Sequence, residues 1–459
     1  MKNRVRFLFL THCALVAIAP AQWTATVLHP AGTSDSEARG AYFEDSPGLF
    51  GQAGFVRVGG RKHAALWKGT ANSWQDIHPA GFPNLESEVL TSIYMGAIAG
   101  RLGNHAYVWP FLNSAGQDLN PLGVMESAIH TFDGFMQGGY IRMPDGYHAA
   151  LWRGSRESCV DLHPYGSGFQ HSIVKSMSFG GTQVGNVYNI TPDGVRMHAC
   201  QWLNSAFTWT DLNPPGASDS FISQLGKVGG AVFNGVTHAG MWNFANSFTD
   251  LHPPGAESSK CSARAGLIQA GEAVFGGRRH AGFWTNTPES FVDLHAFLPN
   301  PLAFSESSAA VIGTDGNFLQ IAGHAKEVAT GQSRAVMWIR PGPRYFTFDI
   351  NKATISGTGA CIGRVALSEP ASETRYFKVQ ENNGLLSSPT EVKVDLGQVS
   401  TSFTMRALPS AVPTAITITV DNQNRLVRSA TITLLPLVPT ALSFSPNRVT
   451  GGQGSTGGF

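Results

Sequence analysis

A five-residue pattern, His-Ala-x-x-Trp, recurs along this chain at intervals of 40 to 54 residues, and no other feature limits the fold as strongly. Six copies are complete: His63 to Trp67, His105 to Trp109, His148 to Trp152, His198 to Trp202, His238 to Trp242 and His280 to Trp284. A seventh, Arg334 to Trp338, keeps the Ala and Trp but replaces the His. Eight or nine residues after each complete copy stands Asp-Leu/Ile-His/Asn-Pro or a remnant of it, beginning at Asp76, Asp118, Asp161, Asp211, Asp250 and Asp293. An orphan second half, Leu28-His29-Pro30, lies near the amino terminus with no first half before it. Short strands repeating at this period form units that cannot bury their faces alone and must stack on neighbours.

The two orphans define the architecture. A second half without a first at one end and a first half without a second at the other complete one unit when joined. A linear array has no reason to split a unit in this way, whereas a ring does, because one sheet shared by both termini removes two exposed strand edges. The pattern therefore predicts an all-β, seven-bladed β-propeller over residues 22–342, closed by exchange of strands between the amino- and carboxyl-terminal ends of that region. Each blade reads as four strands, a to d. Strand a is a Ser-containing alternating stretch, and strand b carries Gln-x-Gly (Gln52, Gln137, Gln183, Gln269). Strand c is His-Ala-x-x-Trp, and strand d ends where Pro stops the ladder. Residues 22–29 supply strand d of the closing blade.

Composition agrees. Glycine (52) and proline (26) are abundant and long amphipathic helical periodicity is absent, as in a turn-rich β chain. Seven of the ten Trp occupy the repeated strand c position. Burying one Trp removes roughly 150 to 250 Å² from water, an upper bound of about 4 to 6 kcal/mol. Such a ladder stabilises a ring without metals or disulfides. Of the cysteines outside the amino-terminal segment, Cys159, Cys200, Cys261 and Cys361 occupy unrelated repeat positions, so they are expected as buried thiols rather than a disulfide framework.

At the amino end, Lys2, Arg4 and Arg6 precede an apolar run from Phe7 to Ala19, and Ala19-Pro20-Ala21 offers a cleavage site. Residues 1–21 read as a secretory signal peptide, so the expected location is secreted or cell-surface. No later run is long and apolar enough for a membrane span. Net charge of +1 with 14% charged residues argues against a nucleic-acid partner. The basic pairs Arg61-Lys62 and Arg278-Arg279 read as solvated hairpin tips.

From about residue 343 the His, Trp and Asp-Leu-His-Pro signals vanish. Period-two stretches such as Glu391 to Leu396 and Ala415 to Val420 predict an Ig-like β-sandwich over residues 343–438. Residues 439–459 read as the start of a second such unit, with disorder expected from about Thr450.

The repeat, with its Gly-rich approach and Leu-Trp endings at Leu66-Trp67 and Leu151-Trp152, resembles the HAF family of bacterial extracellular repeat proteins over about residues 22–340. Here the third motif position is Ala65, Tyr107, Ala150, Cys200, Gly240 or Gly282 instead of the family's Phe. The resemblance implies export and a repeat-built β fold, and brings no catalytic or ligand residues. The carboxyl-terminal region resembles tandem bacterial Ig-like repeats of surface proteins.

One His per repeat lies around a ring, too dispersed to converge on an ion as metal ligands must. A structural role is expected for His63, His105, His148, His198, His238 and His280, and for the paired Asp residues. Catalysis would need residues that break the repeat. The acidic stretch Asp35, Glu37, Glu44 and Asp45 is a calcium candidate by its oxygen donors, but lacks calcium-loop spacing and reads better as a solvated loop. His171 and His324 also fall outside the motif. Nucleophile elbows, zinc motifs and phosphate loops are absent, and no cofactor is called for. The expected function is a non-enzymatic binding or adhesion module with a glycan or surface-protein partner. The alternatives are a polysaccharide-active enzyme using channel-mouth carboxylates, and a purely structural outer-layer protein.

Overall fold

The computed structural model describes residues 23–43, 50–91, 98–109, 116–177, 181–223, 226–243, 247–314, 316–342, 344–423, 426–436, 443–445, 451 and 456–458. Segment 1–21, read above as a signal peptide, lies outside them, as do Glu44 and Asp45. Two compact units divide the chain at residues 342 and 343.

The first unit contains, among the described residues, seven four-stranded antiparallel sheets. Their first strands are Ser36–Phe43, Ser87–Val89, Glu126–Phe132, His171–Met177, Asp219–Ile222, Ser258–Ala265 and Phe304–Thr314. Six sheets are built from consecutive strands. The seventh takes its fourth strand, Thr24–Val27, from the amino end, which pairs antiparallel with Ser333–Pro341 in the register Thr24 to Ile339 and Val27 to Val336.

The period-two geometry of His-Ala-x-x-Trp explains how the sheets stack. Alternate side chains point to opposite faces, so in the first sheet Ala65 and Trp67 pack toward the seventh sheet, beside Val311 and Met337. Ala64 and Leu66 pack toward the second, beside Val89 and Trp109. Equivalent apolar clusters lie between every pair of consecutive sheets. The cluster joining the seventh sheet to the first closes the ring. All seven repeated Trp are buried, Trp109 being the most accessible at 8%. The indoles of Trp109, Trp242 and Trp338 also donate to the carbonyls of Ile77, Leu212 and Leu294 in the preceding sheet.

The Gln-x-Gly signal has two separate causes. The Gln side chains accept hydrogen bonds from the turn after strand c, at Gly69, Gly154, Asn204 and Asn286. The Gly lies against the first strand of its own sheet: a Cβ on Gly54, Gly139, Gly185 or Gly271 would stand 1.9 to 2.0 Å from a backbone carbonyl oxygen there. The remaining sheets use Gly100, Gly229 and Gly323 in the same way. In five first strands this close approach accompanies a β-bulge, with the extra residue at Arg39, His130, Lys175, Ser262 and Ala310.

The second unit is a sandwich of a four-stranded and a five-stranded sheet. Alternating residues of Thr414–Asp421 (Ile416, Ile418, Val420) are buried, and Phe346 of one sheet meets Phe377 of the other edge-on at 4.9 Å. Beyond it, in the tail read above as disordered from about Thr450, Ser443–Ser445 pairs antiparallel with Thr456–Gly458. Among the described residues, no helix is long and apolar enough to cross a membrane.

Candidate functional site

The repeated polar residues join each sheet to the next. His63 and Ala65 share a strand face, and Asp76 lies opposite Ala65, which brings His63 Nδ1 to 2.8 Å from Asp76 Oδ2. The other Oδ of Asp76 accepts the backbone N–H of His78 at 2.9 Å. The His78 ring stacks on His63 with centroids 4.3 Å apart. It reaches forward with Nδ1 to Ser87 Oγ of the second sheet (2.7 Å) and with Nε2 to the Phe82 carbonyl (3.0 Å). Ser87 Oγ also accepts the N–H of Ala64 at 2.9 Å. The same pattern recurs from His148 to Ser172, from His238 to Ser259 and from His280 to Ser307.

At two junctions Asn stands in for the second His, which identifies the chemistry required there. Asn120 donates from Nδ2 to the Val124 carbonyl (3.1 Å) and accepts the Ser127 hydroxyl on Oδ1 (2.6 Å). Asn213 likewise donates to the Ala217 carbonyl. An amide is one acceptor and one donor group fixed in place, so His252 and His295 match it as neutral imidazoles with Nε2–H toward the loop carbonyl and Nδ1 accepting from serine. Burial depresses the pKa of His163, His252 and His295, in keeping with a neutral ring, and of His29 as well, where the Arg334 charge adds to it. For Asp211 burial acts to raise the carboxyl, but the hydrogen bonds from His198 and the Asn213 N–H outweigh it and hold it low.

The closing junction loses both members of the His–Asp pair together. Arg334 replaces the His and Val27 occupies the Asp position opposite Val336. The Arg334 guanidinium instead binds Glu327 (2.7 Å), the Ser34 carbonyl and His29 Nε2 (3.1 Å). Ser36 still accepts the Ala335 N–H and meets His29 Nδ1. His63, His105, His148, His198, His238 and His280 are thus held one per sheet, each by its own Asp. Among the described residues no group of three His, Cys, Asp or Glu is placed to hold a metal ion. Of the calcium candidates, Asp35 accepts the Ser333 N–H (3.0 Å) and faces Arg57, whereas Glu37 sits within the first strand and binds Arg39. All four described cysteines are free thiols. Burial pushes Cys159 and Cys261 up to about 12, so they are poor nucleophiles.

Residues that break the repeat gather on the ring axis. The first strands of neighbouring sheets touch one another, as Glu126–Phe132 does His171–Met177 and Ser258–Ala265 does Phe304–Thr314. A bulge redirects its extra side chain, and three of the five bulged residues are basic: Arg39, His130 and Lys175. Lys175, on the fourth sheet, senses the charges of Arg39 on the first and Lys260 on the sixth.

Arg39 donates to Glu37 (2.9 Å) and, across a junction, to Glu88 (2.8 Å). Glu88 also receives Lys62 (3.1 Å) and Arg101 (2.7 Å). Glu272 is flanked by Lys260 (3.3 Å) and Arg279 (3.5 Å). Lys62 and Arg279, read from sequence as solvated tips, are therefore tied to inward carboxylates. Burial opposes ionisation of these acids, but His324 and Arg39 near Glu37, Arg39, Arg101 and Lys62 near Glu88, and Lys260 near Glu272 hold all three carboxyls below their ordinary range. Five cations, Arg39, Lys62, Arg101, Lys260 and Arg279, contact these three carboxylates, and Glu126 nearby has Arg142 at 3.7 Å. The surplus centres on Lys175, which has no ion pair among the described residues and is pushed down to about 8, first by burial and then by Arg39 and Lys260. Motif reading missed this cluster because its members differ from sheet to sheet. The signal that finds it is position: Arg39, His130 and Lys175 each stand three residues after the junction serine (Ser36, Ser127, Ser172).

Among solved structures, the chain is similar to the β-propeller domain of the Trilobed protease from Pyrococcus furiosus, with 7% identity and a TM-score of 0.40, over 67% of this chain and 94% of that one. It is also similar to TolB from Acinetobacter baumannii, with 11% identity and a TM-score of 0.33, over 70% and 81%. No family model and no curated protein matches the chain, so the likeness to HAF repeats rests on the motif alone. The propeller-like character of the first unit rests on its own sheet topology.

Proposed function

We propose that this protein is an exported binding module: a seven-bladed β-propeller that takes a glycan ligand at its axis, followed by an Ig-like sandwich serving as a spacer. The observation that carries the reading is a division of labour. Every repeated His, Asp and Ser is engaged in joining sheets, whereas the polar residues that break the repeat converge on the axis, where propellers have room for a ligand. Export is supported by the basic start, apolar run and Ala-Pro-Ala of residues 1–21; the processed protein then begins at Gln22.

Hydrolysis of a glycan is the less favoured reading. Glycoside cleavage needs one carboxyl with a raised pKa to act as acid, and Glu37, Glu88 and Glu272 are all depressed and engaged with cations. The test is to incubate residues 22–459 with acidic and neutral polysaccharides, scoring retention and release of shorter sugars by mass spectrometry. Retention without products is expected. Products that disappear in Glu37→Gln or Glu88→Gln would overturn the reading in favour of an enzyme, and neither retention nor products would remove the glycan.

A further inference from the structure

Four of the nine tyrosines, Tyr140, Tyr147, Tyr165 and Tyr188, lie between residues 140 and 188, on the third and fourth sheets. Two of them stand where the repeat requires no ring. Tyr147 directly precedes the repeated His148, and the other complete copies have Lys62, Asn104, Met197, Thr237 and Arg279 there. Tyr188 follows Gly185 by three residues, where other sheets have Arg57, Gly103, Arg142, Val232 and Val274.

The fold brings these rings together. Tyr147 meets Tyr140 edge-on at 5.2 Å and, across the junction, the His171 ring at 5.8 Å; His171 in turn lies 4.8 Å from Tyr188. A charged pair borders them. The Tyr140 hydroxyl donates to Glu126 Oε1 at 2.6 Å, and Arg142, opposite Glu126 in the sheet, stands 3.7 Å from Oε2. The half-exposed Arg142 guanidinium also lies over the Tyr147 ring, 5.5 Å from its centroid. Several polar atoms here do no work for the fold. His171 Nδ1 accepts the Tyr147 N–H at 3.1 Å, so the neutral ring carries its proton on Nε2. Among the described residues that Nε2–H and the hydroxyls of the half-buried Tyr147 and Tyr188 have no hydrogen-bond partner, and none of the three is sealed from solvent. Past the pair that holds the repeated His, the central hairpin of the fourth sheet continues for four residue pairs, against two in the third sheet. The extension leaves Ile190 and Val195 exposed, and Ile190 shares a strand face with Tyr188.

We infer that this tyrosine group is a sugar subsite, and that it takes a neutral pyranose unit of a glycan. The inference rests on the binding-module reading and adds the place of the subsite and the charge of the sugar. A pyranose has apolar C–H faces and a rim of hydroxyls that donate and accept. Tyrosines match it with rigid apolar surface ending in a polar tip, at small entropic cost. The remaining groups are mixed in kind, an imidazole N–H, a carboxylate and a guanidinium, and Glu126 and Arg142 balance each other in charge, so nothing in the group selects an acidic sugar.

The test uses the processed chain, residues 22–459. Binding of cellohexaose, xylohexaose, mannohexaose, maltohexaose and the acidic hexagalacturonate is measured by calorimetry on the parent and on the double variant Tyr147→Phe, Tyr188→Phe. The double variant keeps both rings and their packing and removes only the two hydroxyls, and a melt matching the parent's verifies the fold. At least one neutral hexasaccharide should bind the parent and bind the double variant about tenfold or more weakly, the loss of two neutral hydrogen bonds. Neutral sugars that bind parent and variant alike would overturn the subsite while leaving the binding-module reading intact. Hexagalacturonate bound more tightly than every neutral sugar would overturn the assigned charge and leave that reading intact as well, and binding of none of the five sugars would defeat both.

Discussion

Replacing Ser172 by Ala tests whether the serines are what couple one sheet to the next. Ser172 is fully buried, and its Oγ accepts the Ala149 N–H at 2.8 Å and meets His163 Nδ1 at 2.9 Å. Alanine leaves both partners in place and unsatisfied. A buried polar group stranded in this way costs about 1 to 3 kcal/mol, so with two such groups Ser172→Ala should cost about 2 to 6 kcal/mol. His163→Asn supplies the internal control. Asn120 already accepts a junction serine, Ser127, at another junction, so His163→Asn should cost no more than about 1 kcal/mol, mainly the lost stacking on His148. Urea denaturation followed by the fluorescence of the buried Trp reads both, with the midpoint shift at constant slope giving the free energy. Ser172→Ala within about 0.5 kcal/mol of the parent, or His163→Asn as damaging as Ser172→Ala, would refute the coupling scheme.

Other outcomes follow from the same geometry. The pKa values of His29, His163, His252 and His295 lie below the ordinary 6.5 in the folded chain. As pH falls from 6.5 the unfolded chain therefore takes up protons first, and their contribution, full above that pH, is lost as pH falls through the folded values. Thermal melts between pH 7 and 5 should fall, and the combined His163→Asn, His252→Asn and His295→Asn variant should fall less; equal slopes would show that these rings are not the cause. Gly139→Ala places a Cβ 1.9 Å from the Ala128 carbonyl oxygen and should destabilise by about 3 kcal/mol or more, whereas Gly81→Ala, with nothing within 4 Å, should be near neutral in the same melt. Deleting residues 23–30 removes the fourth strand of the seventh sheet together with Leu28 and His29, and should lower the melting of the whole first unit rather than of one sheet.

What could be read from the chain beforehand follows from which features repeat at a fixed interval. His63 and Asp76 are 13 residues apart on adjacent strands of a single hairpin, so their pairing leaves a periodic trace, and the orphan Leu28-His29-Pro30 marked the split sheet. The junction serines were harder to assign. Ser87 follows His78 by 9 residues but Ser307 follows His295 by 12, because the intervening loops differ and only the fold brings the pair together. The axial site left no motif at all. Arg39, His130 and Lys175 share a structural position at a bulge in the first strand, a relation between strands that the order of residues does not display. Lys62 and Arg279 looked like solvated tips for a similar reason: their carboxylate partners, Glu88 and Glu272, lie on a different sheet or a different strand.

Ring closure is tested most directly by hydrogen exchange of the intact protein, resolved by peptide. If Thr24–Val27 completes the seventh sheet against Ser333–Pro341, the amides of residues 24–28 should be protected to the same extent as those of residues 334–339, and both should exchange only with opening of the whole ring. Exchange of residues 24–28 within seconds, while residues 334–339 stay protected, would mean that the termini of the first unit do not share a sheet and that the ring is not closed in this way.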